Sequence, residues 1–281
     1  MKKQLNNTLS KIQKSFLDKN GYLILRNIKV IKKNLKQLQR EANKLIDLEG
    51  DKGGWEGKEK YYKKGKHFEK GTDRLGNLIE KHKIFRKLIT IPEILEAAKE
   101  VTKSEIKICG LNLRNPKKGF GYQKIHTDWK PRKRKKESFA GIVCMIYLDN
   151  SKKRNGATRI IPKTHKIIGW PDNHINIDKK HKKEIRPEIK AGGVIIANLN
   201  LWHAGANNKS GEPRKMIMVN IKNRKFPQLL NYKIFLSNKC KKSLTDFEKY
   251  ILAVRKVDIR QKSDSIGVGK YYKKEFGAKR D

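Results

Sequence analysis

The sequence predicts a mainly β fold with flanking helices, and two changes of pattern along the chain support this. In the first hundred or so residues, apolar side chains recur at helical spacing, as at Ile31, Leu35, Leu38 and Ala42. From about residue 105 to 221, short apolar runs alternate with turn sequences such as RNPKKG and NKSGEP, which is typical of strands. With 36% hydrophobic residues the chain can bury a substantial core.

The N-terminal part, residues 1–104, is predicted to be helical. A first amphipathic helix carries Leu5, Leu9, Ile12 and Phe16 and stops at NGYLILRN, which reads as a short strand. A second helix spans Ile31 to Leu45, and a Gly- and Lys-rich loop covers 50–72. Helices around 77–89 and in TIPEILEAAKEV complete this part.

The β core is predicted over residues 105–230. Its strand segments are IKICGLNLR, YQKIHTDW, FAGIVCMIYLD, ATRIIP, GGVIIANLNLWH and RKMIMVNI. Several are apolar at consecutive positions, so both faces should be buried, one inside a barrel or sandwich and one under the helices. Residues 1–230 would form one domain, and 231–281 a basic helical extension with a capping box at Thr245 and Glu248.

Charge and cysteine content bear on partners and location. The net charge is +41, from 69 Lys and Arg against 28 Asp and Glu, and it is dispersed along the whole chain. Such a surface attracts polyanions, but charge alone supplies only non-specific binding, so specific nucleic-acid binding is not favoured. Three scattered cysteines, Cys109, Cys144 and Cys240, suit reduced thiols in a cytoplasm. No apolar run is long enough to cross a membrane, so no membrane partner is expected.

His126 and Asp128 are the first candidate metal ligands. Residues two apart on a strand project to the same side, so a ring nitrogen and a carboxylate converge. His203, at the end of the predicted strand GGVIIANLNLWH, would complete a facial set that leaves positions open on the metal. The alternatives are a surface His–Asp pair and a core histidine with an internal partner.

Arg214 is the candidate anion site. It begins the strand after the turn NNKSGEP and shares a face with Met216 and Met218, so it should point inward near His203. A buried guanidinium needs an anion and fits a carboxylate through two hydrogen bonds. A cation that merely starts the hairpin is the alternative.

The ordered set of His126, Asp128, His203 and Arg214 resembles the phytanoyl-CoA dioxygenase family of Fe(II)/2-oxoglutarate oxygenases. NGATRIIPKTHK and NLNLWHAGANNKSGEPR resemble segments of that family, and the likeness covers roughly residues 10–225. It implies a double-stranded β-helix (a jelly-roll, cupin-like core) packed against N-terminal helices. It also implies Fe(II) held by the two histidines and Asp128, with 2-oxoglutarate and O2 as co-substrates and ascorbate as a candidate reductant.

The resemblance implies further roles. Arg214 would hold the far carboxylate of 2-oxoglutarate, with Arg74 and Thr158 near the co-substrate and Leu111 and Ile146 on the pocket wall. Gly205 stands where many members have a serine that donates to 2-oxoglutarate, and Lys163 stands where they usually have glycine.

Residues outside the ligand set could meet the substrate. Gln123 and Trp129 are the candidates, although an aromatic ring at Trp129 suits packing equally well. The basic loop 130–136 has six positive side chains in seven positions and is either solvated or a binder of anionic groups.

The leading hypothesis is therefore a dioxygenase that hydroxylates an unactivated C–H bond of a small organic molecule, an anionic one among the candidates, with release of succinate and CO2. The alternatives are a basic nucleic-acid-binding protein, or an oxygenase acting on a nucleic acid or a protein. The sequence leaves the substrate and the oligomeric state open.

Overall fold

The computed structural model describes residues 8–56, 65 and 69–258. The prediction for Leu5, about half of the predicted loop 50–72 and the basic tail beyond residue 258 therefore fall outside the described residues. Within them, helices and two short strands come first, the remaining strands follow, and short helices come last.

The first helix is bounded by its own caps. Helix α1 (Lys11–Asn20) begins at Ser10, whose side chain accepts a hydrogen bond from the backbone of Gln13, and it ends at Gly21. Gly21 has a left-handed φ of 79°, and a Cβ there would lie 2.4 Å from Nδ1 of His165. Glycine satisfies both requirements, so the chain can turn directly into the first strand.

The other helices are α2 (Lys29–Glu49), α3 (Leu78–Lys81), α4 (Lys83–Arg86), α5 (Pro92–Thr102), α6 (Tyr232–Phe235), α7 (Asn238–Lys242) and α8 (Asp246–Ile251). The strands are β1 (Tyr22–Leu25), β2 (Thr72–Leu75), β3 (Ile106–Pro116), β4 (Gly141–Tyr147), β5 (Arg159–Ile160), β6 (Val194–Asn198), β7 (His203–Ala204) and β8 (Met216–Asn223). The capping box predicted at Thr245 and Glu248 is confirmed at the start of α8.

Six strands form the large antiparallel sheet, in the order β1-β6-β4-β8-β3-β2. Strands β5 and β7 form a second, smaller sheet. Ile160 of β5 packs in one apolar cluster with inward residues of β4, β6 and β8, so the small sheet lies over the large one. This two-sheet arrangement, with helices outside it, is that of the predicted double-stranded β-helix.

The two faces of the large sheet belong to different cores. Alternate residues of each strand, such as Ile142, Cys144 and Ile146 of β4, pack with the helices in the larger apolar cluster. The residues between them, such as Val143 and Met145, pack in the cluster between the sheets. This period of two is what a sheet buried on both faces requires.

The residues after 230 pack on the same large core. Tyr232, Cys240 and Ile251 of the three C-terminal helices all belong to the sheet–helix cluster. The proposed domain boundary at residue 230 stays a prediction. Cys109, Cys144 and Cys240 are free and buried, as expected of reduced thiols. A bilayer-crossing helix is not found among the described residues.

One predicted strand is wrong, and another is interrupted. Residues 122–129 form no strand, and His126 is joined to His203 by an isolated bridge. The run GGVIIANLNLWH is interrupted after Asn198, whose backbone carbonyl accepts from Leu201 and whose side chain accepts from Asn200. This asparagine turn transfers the chain from the large sheet to the small one, so His203 lies opposite β6 instead of at its end.

Candidate metal centre

Three potential metal ligands converge between the two sheets. One donor atom from each of His126, Asp128 and His203 lies within 4.8 Å of the other two. The backbone holds them there, because His126 and His203 exchange two hydrogen bonds of 3.0 Å and Asp128 donates to the carbonyl of Leu199. Three of the four side chains singled out for chemistry are thus brought to one point.

Hydrogen bonds fix the orientation of both imidazoles. Nδ1 of His126 lies 2.8 Å from the carbonyl of Lys124, and Nδ1 of His203 lies 2.9 Å from the carbonyl of Leu201. A carbonyl can only accept, so in each ring Nδ1 carries the proton and Nε2 keeps a free lone pair. Metal-binding histidines are typically fixed in this way.

The space among the three donors fits an ion. Nε2 of His126 lies 3.8 Å from one oxygen of Asp128, and Nε2 of His203 lies 3.7 Å from the other. These distances are too long for hydrogen bonds, whereas two ligands that are each about 2.1 Å from one ion lie about 3 to 4 Å apart. Two imidazoles and one carboxylate on one side of an ion are the donor set of non-haem Fe(II) oxygenases.

Arg214 is buried and points inward, as predicted. Its side chain is among the largest fully buried in the described structure, and it precedes Met216 on the inner face of β8. Nε donates to the carbonyl of Asn155 at 3.1 Å, but Nη2 is buried and has no hydrogen-bond partner among the described residues. Burial lowers the pKa of Arg214 to about 10. A buried guanidinium whose Nη2 group has no hydrogen-bond partner would be stabilised by an anionic ligand.

Thr158 and Tyr147 form a hydroxyl pair near Arg214. Ile160 pairs with His203, and Thr158 lies two residues before Ile160, just ahead of β5. Oγ1 of Thr158 is 2.7 Å from the hydroxyl of Tyr147. That hydroxyl interacts electrostatically with the positive charge of Arg214. Two hydroxyl groups thus lie near the guanidinium, on a segment that leads into the strand paired with His203.

Gly205 leaves no room for a serine side chain. A Cβ at this position would lie 2.5 Å from the carbonyl of Gly121, 2.9 Å from Oε1 of Gln123 and 3.1 Å from Nη1 of Arg114. The backbone N–H of Gly205 donates to Gln123 at 2.9 Å. The space of a serine side chain is therefore taken by Gln123 and Arg114, with Gln123 at the margin of the site.

Arg74 lies next to this margin. It pairs in register with Arg114, and Glu69 forms ion pairs with both guanidinium groups. The distance between Arg74 and Glu69 is 2.8 Å. Contact of Arg74 with a co-substrate stays a prediction.

Leu111 and Ile146 do not line the pocket, and their assignment to its wall is wrong. Both belong to the cluster between the sheet and the helices. Side chains alternate along a strand, so the inward positions are one residue away, at Asn112 on β3 and at Met145 and Tyr147 on β4. Tyr147 and Met145 are the site residues that the sequence prediction missed, and the alternation of β4 was the signal that could have found them.

The ring of Trp129 packs against other residues of the protein. Its ring is 5% exposed, lies 5.3 Å from the ring of Phe226 and has Nζ of Lys222 3.9 Å from its centroid. These neighbours use the ring for packing, so the structure gives no support to the predicted substrate contact.

The basic loop 130–136 is organised by one of its own arginines. Arg132 is buried, and its guanidinium donates to the carbonyls of Lys135, Glu137 and Lys166. The guanidinium also lies 4.4 Å from the ring centroid of Phe139. One of the six charges therefore holds the loop in shape, whereas Lys130, Lys133 and the three basic residues after it are exposed.

Lys163 keeps the turn geometry that glycine would give. Its φ is 71°, in the left-handed region, and its N–H donates to the carbonyl of Asn20 at 2.9 Å. The turn is thus preserved at the cost of about 1 kcal/mol that a left-handed lysine carries.

Comparison with known proteins agrees with this geometry. A family model described as phytanoyl-CoA dioxygenase matches residues 17–216. HygX from Streptomyces hygroscopicus, solved with nickel and 2-oxoglutarate bound, is 13% identical; the match covers 79% of this chain and 90% of that one, with a TM-score of 0.62.

Two enzymes of nogalamycin biosynthesis share the fold as well. The carbocyclase SnoK is 15% identical over 77% of this chain and 85% of its own, with a TM-score of 0.58. The epimerase SnoN, solved with Fe3+, α-ketoglutarate and nogalamycin RO, is 14% identical over 76% and 83%, with a TM-score of 0.57. At these identities the three structures establish the fold, and that fold is the one predicted.

Proposed function

The chain belongs to the phytanoyl-CoA dioxygenase family and is a 2-oxoglutarate-dependent dioxygenase, and we propose that it hydroxylates an unactivated C–H bond of a small organic substrate. The observation that carries the proposal is the cluster of His126, Asp128 and His203, with both Nε2 lone pairs facing the same gap as the carboxylate. These residues would hold Fe(II).

Arg214 would bind the far carboxylate of 2-oxoglutarate. The buried Nη2 group would gain the hydrogen-bond acceptor that the described protein does not supply, and the anion would neutralise the buried charge. The hydroxyl groups of Thr158 and Tyr147 would donate to the same anion. They share one hydrogen bond, and when that bond breaks, the hydroxyl that donates in it becomes available to the anion as well.

When bound, ferrous iron and 2-oxoglutarate supply the oxygen chemistry, in which O2, the keto acid and a C–H bond become succinate, CO2 and an alcohol. The chain's own contribution is positional. Nδ1 hydrogen bonds keep His126 and His203 in one tautomer, and Asp128 offsets one positive charge of the ion. Met145 and Met216, buried beside Tyr147, exclude water from the co-substrate side of the site.

The fold admits more than one outcome, since SnoK is described as a carbocyclase and SnoN as an epimerase. Hydroxylation differs from both by placing an oxygen atom from O2 in the product. The small-molecule substrate class is supported by HygX, which has been solved with hygromycin B bound, and by the SnoN complex with nogalamycin RO.

The test is turnover of purified protein with Fe(II), 2-oxoglutarate, ascorbate and a metabolite library, with succinate and 18O incorporation from 18O2 as readouts. We expect substrate-stimulated succinate release and one labelled oxygen atom in the product. His126→Ala and Asp128→Ala should lose at least about 1000-fold in turnover, because the metal loses a ligand. Asp172→Ala, an exposed aspartate, is the matched control.

Each outcome separates one part of the proposal from another. Succinate release at wild-type rate in Asp128→Ala would contradict the metal assignment. A product that carries no label, formed together with succinate, would keep the dioxygenase and reject hydroxylation.

A further inference from the structure

Two carboxamide side chains lie at the centre of the inner face of the large sheet. Asn112 is on β3 and Asn220 is on β8. Their neighbours Leu111 and Val219 pack with the helices, so the alternation of the strands turns both carboxamides toward the space between the sheets. Both are half-buried, whereas these neighbours are fully buried.

The two amide groups converge over a glycine. Gly110 pairs with Asn220 in register. A Cβ on Gly110 would lie 3.3 Å from Nδ2 of Asn112, 3.3 Å from Cδ1 of Leu229 and 3.7 Å from Nδ2 of Asn220. Because glycine carries no side chain, a shallow depression remains in the sheet, bordered by the two amides and by a methyl group of Leu229.

Neither carboxamide makes a side-chain hydrogen bond to any residue in the part of the chain that the structure describes. Other carboxamides of this molecule have hydrogen-bond partners within the protein. Nδ2 of Asn208 donates to the carbonyls of Pro116 and Glu212. The donors and acceptors of Asn112 and Asn220 are therefore available to a ligand that lies on this face of the sheet.

The depression borders the proposed site on two sides. Met218 pairs with Asn112 across β3 and β8, and with Met145 across β4 and β8. Sδ of Met145 is 3.9 Å from Oγ1 of Thr158. On the other side, Arg114 lies two residues beyond Asn112 and reaches the Cβ position of Gly205, two residues after His203. Asn112 is thus one strand spacing, about 4.8 Å, from Met218 and two strand spacings from Met145.

We propose that Asn112 and Asn220 form the substrate subsite, and that the substrate presents hydroxyl or carbonyl oxygens to them. This rests on the proposed function and assigns its substrate to the polyhydroxylated small molecules, such as cyclitols and sugars, and not to hydrocarbon acyl chains. A carboxamide has two N–H donors and one carbonyl acceptor, and a hydroxyl group can satisfy both kinds. A hydrocarbon laid over the depression would leave those groups desolvated and without partners.

The test is binding of two probe panels to protein loaded with Ni(II) and 2-oxoglutarate, which prevents turnover. One panel contains six-carbon cyclitols and monosaccharides, and the other contains fatty acids of six to ten carbons. Affinities are measured by saturation-transfer NMR. We expect members of the hydroxylated panel to bind more tightly than any fatty acid.

Variants of similar volume test the two residues directly. Asn112→Leu and Asn220→Leu should each weaken binding of the hydroxylated probes about tenfold and improve fatty-acid binding. Asn238→Leu makes the same substitution at an exposed asparagine of α7, away from the sheet, and should shift the affinity less than about twofold. Asn112→Ser and Asn220→Ser replace the leucine variants if those do not fold, and should weaken binding less than leucine does.

The results that overturn the inference are distinct. Fatty acids that bind as tightly as the hydroxylated probes would reject it, and so would wild-type affinity in the asparagine variants or a hydroxylated panel that does not bind at all. Failure of the wild-type protein to take up 2-oxoglutarate would instead defeat the proposed function, and the inference with it.

Discussion

The two faces of the large sheet are built from the same strands but carry different chemistry. The face under the helices is aliphatic, with Leu111, Ile146 and Val219 all fully buried in one cluster. The inner face carries methionines, the hydroxyl of Tyr147, two carboxamides and, at the start of β8, the buried Arg214. The first face stabilises the fold, and the second holds the polar groups that the fold leaves available for ligands.

This difference shows how a change of one position moves a residue from function to stability. Ile146 lies next to both Met145 and Tyr147 in the chain, yet it packs with the helices on the opposite face from them. Polar groups on the inner face lower the stability of the ligand-free protein, and the outer face offsets that cost. Substitutions on the two faces should therefore affect different measurements.

Arg214→Met should have the largest effect on co-substrate binding. We expect the KM for 2-oxoglutarate to rise about 100-fold or more, because a buried guanidinium–carboxylate pair loses its cation. The ligand-free protein should keep its stability or gain some, since a buried charge without a full set of partners is removed. KM from succinate release and urea unfolding of the apo protein check the two halves.

A large loss of stability in Arg214→Met together with an unchanged KM would contradict this assignment. The guanidinium would then be a structural group like Arg132. Arg154→Met, at an exposed arginine that pairs with Glu212, is the control for loss of a positive charge.

Leu111→Ala should show the opposite behaviour. Removal of a fully buried leucine from the outer face is expected to cost about 2–5 kcal/mol in the free energy of unfolding. The KM for 2-oxoglutarate should stay within about twofold. Leu111→Met, which conserves volume, should cost less than about 1.5 kcal/mol. A change of KM beyond tenfold in either variant would support the earlier assignment of Leu111 to the pocket wall.

His165 should give a smaller, pH-dependent effect away from both faces. Burial lowers its pKa to about 4, against 6.5 for a free histidine, and the nearby charges of Lys166 and Arg132 act in the same direction. The unfolded chain therefore binds a proton that the folded chain does not, and stability falls as the pH drops from about 6.5 toward 4. The loss attributable to this group is at most about 3 kcal/mol.

The measurement is the free energy of unfolding against pH for the wild type and for His165→Gln. Glutamine can still donate to the carbonyl of Asp18, which His165 contacts at 3.0 Å, but it does not titrate. The slope between pH 6.5 and 4 should be shallower in the variant. Equal slopes would show that other groups produce the pH dependence.

Much of this arrangement could be predicted from the sequence because it depends on local patterns. Helical spacing located α1 and α2, and the order of His126, Asp128, His203 and Arg214 located the site. The positions of turns, and the face of the sheet on which each residue lies, were harder to predict. The asparagines at 198 and 200 redirect the chain through hydrogen bonds that an apolar run conceals.

The remaining site residues depend on contacts between distant strands. Asn112 and Asn220 come together only through the register of β3 with β8, which sequence spacing does not encode. Gln123 reaches Gly205 across 82 residues, and Arg114 is placed by Glu69 from another loop. Such groups are identified by contacts between distant parts of the folded chain, and these can be seen only in three dimensions.

Anaerobic titration of the purified protein with Fe(II) and 2-oxoglutarate tests the central assignment most directly. We predict a weak visible charge-transfer band in the wild type and in Leu111→Ala that requires both components. The band should be absent in Asp128→Ala and should need far more 2-oxoglutarate in Arg214→Met. A wild-type protein without the band, or an Asp128→Ala variant that shows it at wild-type affinity, would contradict the assignment of the inner face as an iron and 2-oxoglutarate site.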